Sequence, residues 1–528
     1  MNMKKLLVGA LGVGAVLAVT SRLLAKRASA KPVTKSASFD AIDAYVEEQM
    51  RRLKMPGVSL AIVEDDQIVH LRGFGRARPH GEAPTPQTPF FIGSLTKSFT
   101  ALAVMQLVEA GKIDLDAPVQ RYLPWFRVAD PPASAQMTVR HLLNQTSGLP
   151  ASSGEFPLAD FDDSPGATER QARALATLVL ARLVGSAFEY SNSNYNLLGL
   201  IIEAASGVSY EDYIQKRILA PLDMSRTYAS PTMAKQNGLA VGHQYWFAIP
   251  LAAPNIPIPY GSLPGGGLIS SAEDMARYLI AHLNEGRFGD VQVVSGTGID
   301  KLHHGVAEFR PMGISVGRYG MGWYESEIGQ TKFFWHTGIL PHFFAYMALL
   351  PGQKKGVVLL INASQHWMSP VLTDFGVGVT ALLAGDQPSP SKFGLIPWAL
   401  RGQLLIPALQ IVDVAATVLM LRRWQREPER RPSGGRKWGQ HILLPLIPNL
   451  LVALALRPML GKRRGYLTLY MPDYSWIALV SGAFAGIWTF LRTGLILGAL
   501  GGSSSAQPFV DRPSSTRGAI KPHHRRSC

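Results

Sequence analysis

Apolar and polar positions between about residues 39 and 384 alternate in two different periods. The stretch 57–75, "GVSLAIVEDDQIVHLRGFG", predicts two strands joined by an acidic turn. The stretch 98–112, "SFTALAVMQLVEAGK", has apolar residues at helical spacing and ends at a glycine. Near the end of this region "KFFWHTG", "HFFAYMALLP" and "KKGVVLLINAS" predict three successive strands. We therefore expect an α/β (α+β) fold, in which helices and an all-helical subregion flank one antiparallel sheet built from distant parts of the chain.

Long apolar runs lie outside this region. Residues 6–20 form a 15-residue apolar run behind two lysines, and a small-residue cleavage site follows at 28–30. Residues 1–35 are thus predicted to be a signal peptide or an N-terminal membrane anchor. Five bases follow the run and two precede it, which the positive-inside rule disfavours for export. A mitochondrial transit peptide is the alternative.

A proline-rich linker, 386–392, separates residues 36–385 from three apolar segments at about 393–421, 441–460 and 474–500. The first and third are long enough to span a bilayer, whereas prolines, Asn449 and Arg457 interrupt the second. We expect a membrane domain of three helices over 393–500. Buried helices of a soluble domain are the alternative.

The charge distribution predicts sidedness. The loop 422–440 carries seven bases and two acids, and the tail 501–528 carries five and one, so both are predicted to be cytoplasmic. Three spans then place residues 36–385 on the extracytoplasmic side of a multi-pass protein in the cell membrane, with the lipid bilayer as a partner.

The net charge of +15 belongs to the ends, since residues 36–385 carry 26 bases and 31 acids. No nucleic-acid surface is expected there. The single cysteine, Cys528, excludes a disulfide framework and a cysteine-based metal site.

The first candidate chemistry is Ser94 with Lys97, in "FIGSLTKSFTA". A serine hydroxyl needs a base within hydrogen-bond reach to act as a nucleophile, and positions i and i+3 share a helix face. A lysine held in an apolar pocket loses part of its preference for the charged form. The same spacing at Ser389 and Lys392 lies among prolines. A surface serine and lysine on a first helical turn would look the same.

Two further motifs follow along the chain. In "FEYSNSNYNLLG" a phenol, Tyr190, could relay a proton, and a carboxamide, Asn192, could hold a substrate amide. An aromatic turn capping a helix is the alternative. In "FWHTGIL", His336, Thr337 and Gly338 could form a strand that lines a substrate, with the Ile339 N–H as an oxyanion donor beside that of Ser94. A buried edge-strand histidine is the alternative there.

Taken together, the order Ser-x-x-Lys, Tyr-x-Asn, His-Thr-Gly resembles the serine β-lactamase and penicillin-binding protein superfamily. The similarity is to its class C-like branch of β-lactamases, D-Ala-D-Ala carboxypeptidases and esterases. Phrases such as "MTVRHLLNQTSGLP" and "GGGLISSAEDMARYL" extend it over about residues 40–385. The resemblance implies Ser94 as acylated nucleophile, Lys97 as proton acceptor, Tyr190 as general base and acid, and Asn192 as a substrate contact. It implies that His336, Thr337 and Gly338 line the site, without a metal or organic cofactor.

One departure bears on the substrate. The family's third motif often begins with lysine, whereas His336 is mostly neutral at pH 7 with an unperturbed pKa of about 6.5. A neutral imidazole weakens attraction for a substrate carboxylate. We therefore expect a membrane-tethered serine hydrolase acting through an acyl-enzyme on an ester, amide, β-lactam or D-Ala-peptide-like substrate. A catalytically idle ligand-binding or scaffold protein of the same fold is the alternative.

Overall fold

The computed structural model describes residues 38–155, 162, 164–255, 260–310, 315–432, 439–461 and 463–501. The predicted leader at 1–35, the tail after residue 501 and part of the basic loop lie outside the described residues.

The described residues contain fifteen strands, and eight of them form one antiparallel sheet. The strands are β1 (Gly57–Glu64), β2 (Gln67–Gly75), β3 (Phe90–Phe91), β4 (His243–Trp246), β5 (Ile249–Ala252), β6 (Ile269–Ser270), β7 (Arg287–Phe288), β8 (Val291–Gln292), β9 (Ala307–Phe309), β10 (Gly317–Tyr319), β11 (Tyr324–Ile328), β12 (Thr331–Ile339), β13 (Phe344–Leu350), β14 (Lys355–Ile361) and β15 (Ala363–Ser364). The eight-stranded sheet has the order β2-β1-β14-β13-β12-β11-β10-β9. The predicted pairing of chain-distant strands is confirmed, because β1 pairs with β14 from Val58↔Ile361 to Glu64↔Lys355. The fold class is likewise confirmed.

Helices cover both faces of the sheet and form a separate helical region between β3 and β4. The α-helices are α1 (Phe39–Leu53), α2 (Thr96–Glu109), α3 (Val119–Tyr122), α4 (Pro131–Gln136), α5 (Val139–Leu143), α6 (Ala151–Glu155), α7 (Ala167–Arg173), α8 (Asn192–Ser206), α9 (Tyr210–Ile214), α10 (Pro231–Gln236), α11 (Leu263–Gly266), α12 (Ala272–Leu283), α13 (Gly296–His303), α14 (Ser369–Ala384), α15 (Ile396–Gly402), α16 (Leu405–Arg426), α17 (Leu444–Leu454), α18 (Arg464–Tyr470) and α19 (Pro472–Gly501).

Helix α2 forms the centre of the molecule. Its residues are buried almost all round, from Thr96 through Met105, as expected for a helix whose apolar positions do not confine themselves to one face. It packs between the helical region and α12, which in turn covers β1 and β14. Because α2 has little freedom to move, side chains on its first turn are held rigidly.

The three apolar segments after residue 393 form helices. Within the described residues, 396–426 and 472–500 are long and apolar enough to cross a membrane. The middle helix, Gly439–Leu454, is shorter and contains Pro448. At a rise of 1.5 Å per residue it spans about 24 Å, less than a bilayer core of about 30 Å. A further helix of sufficient length, His366–Ala384, is mostly buried and packs on the sheet through α14.

The apolar helices form a bundle with alternating directions. Gln410 of α16 donates to the Ser481 carbonyl of α19 at 2.8 Å, and Arg492 further along α19 donates to Thr417 at 3.0 Å. These two helices therefore run parallel. Arg492 also donates to the His441 carbonyl just before α17 at 2.6 Å, while Gly482 lies against Leu456 after it, so the middle helix runs antiparallel to α19.

The stretch 243–252 is a short hairpin of β4 and β5. Tyr245 is fully buried, and its hydroxyl donates to the Leu53 carbonyl at 2.9 Å. Phe247, in the hairpin turn, instead makes an edge contact with Trp476 of α19, with ring centroids 6.4 Å apart. Tyr245 is therefore part of the core, and Phe247 lies beside the apolar bundle.

Candidate active site

Ser94 lies in a tight 3-10 turn, Gly93–Leu95, that leads directly into α2. The α-helix itself begins at Thr96, so the turn places Ser94 at its N-terminal end. Gly93 adopts a φ of +52°, and a side chain there would collide with the backbone of Gly338 and Ile339. This close approach brings strand β12 against the Ser94 turn.

Lys97 points back from the first turn of α2 to the Ser94 hydroxyl. Its Nζ lies 2.9 Å from Ser94 Oγ, and it donates to Asn192 Oδ1 at 2.6 Å and to the Gly265 carbonyl. The side chain has no exposed surface, and burial lowers the pKa of the Lys97 amine well below its ordinary 10.5. Among the described residues no carboxylate lies within 4 Å of Nζ to restore the charge.

This geometry suits a neutral amine. A neutral Nζ has two N–H bonds and one lone pair. Two neutral carbonyl oxygens, from Asn192 and Gly265, take the two N–H bonds. The lone pair is then left for the hydroxyl proton of Ser94, which makes Lys97 a suitable proton acceptor.

Tyr190 reaches Ser94 from the opposite side. Its hydroxyl donates to Ser94 Oγ at 3.0 Å, and its ring lies 5.0 Å from Lys97 Nζ. Burial raises the pKa of the Tyr190 phenol, and the hydrogen bond with Ser94 opposes this only in part. The phenol is therefore protonated at neutral pH and is suited to donate a proton.

Asn192 is the first residue of α8. The carbonyl oxygen of its side-chain carboxamide accepts from Lys97. Its NH₂ group is therefore the part of the carboxamide that is suited to donate to a substrate carbonyl. The backbone before it is held by Gln145, whose Oε1 accepts from the Ser191 N–H at 2.9 Å and from the Asn194 side chain. Gln145 thus positions the start of α8.

Strand β12 presents an open edge to Ser94. The β11 register ends at the pair Tyr324–Trp335, so residues 336–339 extend beyond β11. On the other edge, the Leu340 N–H donates to the Phe343 carbonyl at 2.9 Å. Because N–H directions alternate along an antiparallel strand, the Ile339 N–H points away from β13 and towards the Ser94 turn. The Ser94 and Ile339 N–H groups therefore lie at the same edge, as an oxyanion site requires.

His336 is buried beside this edge. Burial is the main cause that lowers the pKa of His336 to about 3. Its Nδ1 is 2.7 Å from the Thr337 carbonyl, and its Nε2 is 3.4 Å from the Tyr319 hydroxyl. His336 is therefore uncharged at pH 7 and supplies no fixed positive charge.

The predicted site residues converge in space. Ser94, Lys97, Tyr190 and Asn192 form one hydrogen-bonded group, and the strand from His336 to Ile339 approaches it through the contact of Gly338 with Gly93. The competing Ser389 lies in the linker, far along the chain from these partners.

Three contributors were not singled out from the sequence. The Gly265 carbonyl acts through the backbone, and the only signal was the glycine run 265–267. Gln145 and Tyr319 lie in stretches that carried the family resemblance, but nothing in their spacing marked them.

A Ser-x-x-Lys turn on a buried helix, a tyrosine on the same hydroxyl and an open strand edge define the β-lactamase and penicillin-binding class of serine hydrolases. The Beta-lactamase family model matches residues 42–374. The chain belongs to this family.

Two curated relatives are similar to this chain over part of its length. Protein flp of Staphylococcus aureus strain MW2 is 27% identical over 341 residues, which covers 62% of this chain and 64% of that protein. The chain thus spans less than two thirds of that relative. Penicillin-binding protein 4 of Amycolatopsis lactamdurans is 29% identical over 312 residues, covering 58% of this chain and 81% of the relative.

Solved structures agree on the fold. The octameric penicillin-binding protein homologue from Pyrococcus abyssi superimposes with a TM-score of 0.58 at 32% identity, over 67% of this chain and 79% of that one. A class C β-lactamase gives a TM-score of 0.55 at 23% identity, over 66% and 96%. At that identity the second similarity concerns the fold alone.

Proposed function

We propose that this chain is a membrane-tethered serine hydrolase that works through an acyl-enzyme at Ser94. The observation that carries the proposal is that a buried amine and a half-buried phenol both lie within hydrogen-bond distance of one serine hydroxyl, at 2.9 Å and 3.0 Å. Family membership alone does not establish activity, whereas this arrangement supplies a nucleophile, a base and an acid.

In the acylation step, Ser94 Oγ forms a bond to the substrate carbonyl carbon while its proton passes to the neutral Nζ of Lys97. The carbonyl oxygen becomes an oxyanion, stabilised by the N–H groups of Ser94 and Ile339. The Tyr190 phenol donates a proton to the leaving group as the tetrahedral intermediate collapses, and the proton held by Lys97 then transfers to the Tyr190 phenolate, so that both groups regain their starting states. Water then attacks the acyl-enzyme with the reverse proton transfers and releases the acid.

The neutral state of His336 favours substrates that are not recognised through a carboxylate. Substrates recognised through a carboxylate gain from a fixed positive charge, and a histidine with a pKa of about 3 does not provide one. We therefore favour an ester, or an amide without an adjacent carboxylate, over a β-lactam or a D-Ala-D-Ala peptide.

The membrane placement belongs to the same proposal. Helix α16 ends with Trp424 packed near Ile442 and Ile496, so the basic loop after α16 and the tail after α19 emerge from the same end of the bundle. The hydrolase domain adjoins the opposite end, where Asp473 begins α19 and bonds to Gln365. Basic segments stay in the cytoplasm, which supports an extracytoplasmic hydrolase domain.

Intact-protein mass spectrometry of the full chain in detergent tests the function. The protein is exposed to a fluorophosphonate and separately to a penicillin, each beside a Ser94→Ala control. We expect a fluorophosphonate adduct that is absent from the variant, and weak or no penicillin adduct. Absence of any adduct on folded protein would favour the idle scaffold, and strong labelling by penicillin would contradict the role given to His336.

A further inference from the structure

The segment between the second and third apolar helices folds back onto the hydrolase domain. We call its described residues, 457–461 and 463–471, the docking segment. Arg463 pairs with Glu155 of α6 at 2.8 Å, and the Tyr466 hydroxyl lies 3.1 Å from His366 Nδ1. The Leu469 carbonyl accepts from the Gln244 side chain at 2.6 Å. These are specific polar contacts spread along the whole segment.

The start of α19 is fixed to the same face. Asp473 is fully buried and accepts from the Gln365 side chain at 2.7 Å and from the Phe247 N–H at 3.3 Å. Trp476 then contacts the Phe247 ring. The point where the third apolar helix begins is therefore held against the hydrolase domain.

The docking segment lies beside the candidate active site. Its partner Glu155 ends α6, and the neighbouring Gly154 packs so closely on Asn192 that a Cβ there would lie 2.5 Å from the Asn192 nitrogen.

The docking segment leads directly into α19. The Tyr466 ring stacks on Tyr470 with centroids 4.5 Å apart, and Tyr470 is two residues before α19. Helix α18 has seven residues, about 10 Å of rise. The segment that contacts α6 through Arg463 is therefore separated from the first apolar turn of α19 by this one short helix.

Exposed apolar side chains occur next to these contacts. Ile249 and Leu251 of β5 are 46% and 51% exposed, directly after Phe247. Trp367 is 38% exposed beside His366, and Trp398 in α15 is 68% exposed. Aliphatic side chains with tryptophan at such a level are typical of a surface that meets the bilayer interface.

We propose that the substrate is an amphiphile held in the outer leaflet, whose scissile ester or amide lies at headgroup depth and reaches Ser94 beside the docking segment. This inference rests on the proposed hydrolase activity and adds the substrate class. A chain that stays in the bilayer need not be withdrawn into water, which is unfavourable for every methylene removed. The pairing of Arg463 with Glu155 holds the docking segment against α6, whose Gly154 packs on Asn192 of the candidate site.

Full-length protein in phosphatidylcholine vesicles tests this with two umbelliferyl esters, a water-soluble acetate and a bilayer-resident myristate. We expect kcat/KM for the vesicle-borne myristate to exceed that for the acetate at least tenfold. The variant Glu155→Gln, which weakens the attachment of the docking segment, should reduce this ratio at least fivefold. The matched control is Glu169→Gln, which removes the carboxylate of an exposed Glu169–Arg173 ion pair within α7. It should leave the ratio unchanged.

A wild-type ratio of one or less overturns the substrate class, and so does a Glu155→Gln ratio equal to the wild-type value. Fluorophosphonate labelling of Ser94 in the same vesicles separates the two proposals. Absence of labelling refutes the hydrolase itself, whereas labelling with a ratio of one or less refutes only the bilayer substrate. If Glu155→Gln is not labelled because it misfolds, the wild-type ratio still decides.

Discussion

Replacing Gly338 by alanine should separate the two halves of the proposed oxyanion site. An added Cβ would lie 1.9 Å from the Ile92 carbonyl oxygen and 3.2 Å from the Gly93 Cα. Both neighbours are backbone atoms, so no side-chain rotation relieves the collision. Ordinary contact at about 3.4 Å requires β12 and the Ser94 turn to move apart by about 1.5 Å.

That displacement moves the Ile339 N–H relative to the Ser94 N–H. Both N–H groups have to reach the same substrate oxygen. Losing one oxyanion donor costs about 10²–10³-fold in rate, and a misplacement of about 1 Å can cost about 10²-fold. We expect the rate constant for fluorophosphonate labelling of Ser94 to fall at least 100-fold in Gly338→Ala. The matched control is Gly352→Ala, since a Cβ at Gly352 meets nothing within 4 Å.

The assay is time-resolved intact-mass spectrometry, with melting curves of both variants to confirm that they fold. A folded Gly338→Ala protein that is labelled within threefold of the wild-type rate would refute the oxyanion geometry. Equal loss in Gly352→Ala would show that the effect is not specific to the strand edge.

Three further predictions follow from other contacts. Tyr190→Phe removes the donor 3.0 Å from Ser94 Oγ, so kcat for ester hydrolysis should fall at least about 100-fold; a loss below tenfold in a steady-state assay would exclude Tyr190 as the acid. His342 has a pKa lowered to about 3, chiefly by burial, against about 6.5 unfolded. The unfolded chain therefore binds more protons between these values, and stability should fall by about 1.4 kcal/mol per pH unit on acidification through this window. In His342→Phe, urea unfolding at pH 6 and pH 5 should show a correspondingly smaller decrease, and an unchanged pH dependence would contradict the burial argument. Arg492→Leu leaves the half-buried Asp413 without its cation 3.6 Å away and should destabilise the bundle by about 1–3 kcal/mol. The double variant with Asp413→Leu should recover part of this loss in detergent melting, and equal melting of single and double variants would contradict the pairing.

Local patterns predicted the parts of the fold that depend on local physics. The strand pair 57–75 and the three strands before residue 362 follow from short apolar runs separated by turn residues. The Ser94–Lys97 contact follows from the i, i+3 geometry of a single turn. Each of these features is confined to a few consecutive residues.

Features that depend on distant backbone were not predictable in this way. The Gly265 carbonyl reaches Lys97 across 168 residues through an atom that every residue possesses, so no side-chain pattern marks it. Tyr245 and Phe247 lie in one aromatic stretch, but Tyr245 is in strand β4 and is buried in the core, whereas Phe247 lies in the hairpin turn with a φ of +50° and contacts α19. Composition does not reveal such a division until the position of the turn is known.

The central claim is that a neutral Lys97 takes the proton of Ser94, and the most direct test is the pH dependence of Ser94 labelling by a fluorophosphonate between pH 5 and 10. Because burial lowers the pKa of Lys97 well below 10.5, the rate should rise with pH and reach a plateau well before 10.5. Lys97→Met should remove both the rise and most of the rate. A wild-type profile still rising at pH 10, or a Lys97→Met protein labelled at the wild-type rate, would contradict the account.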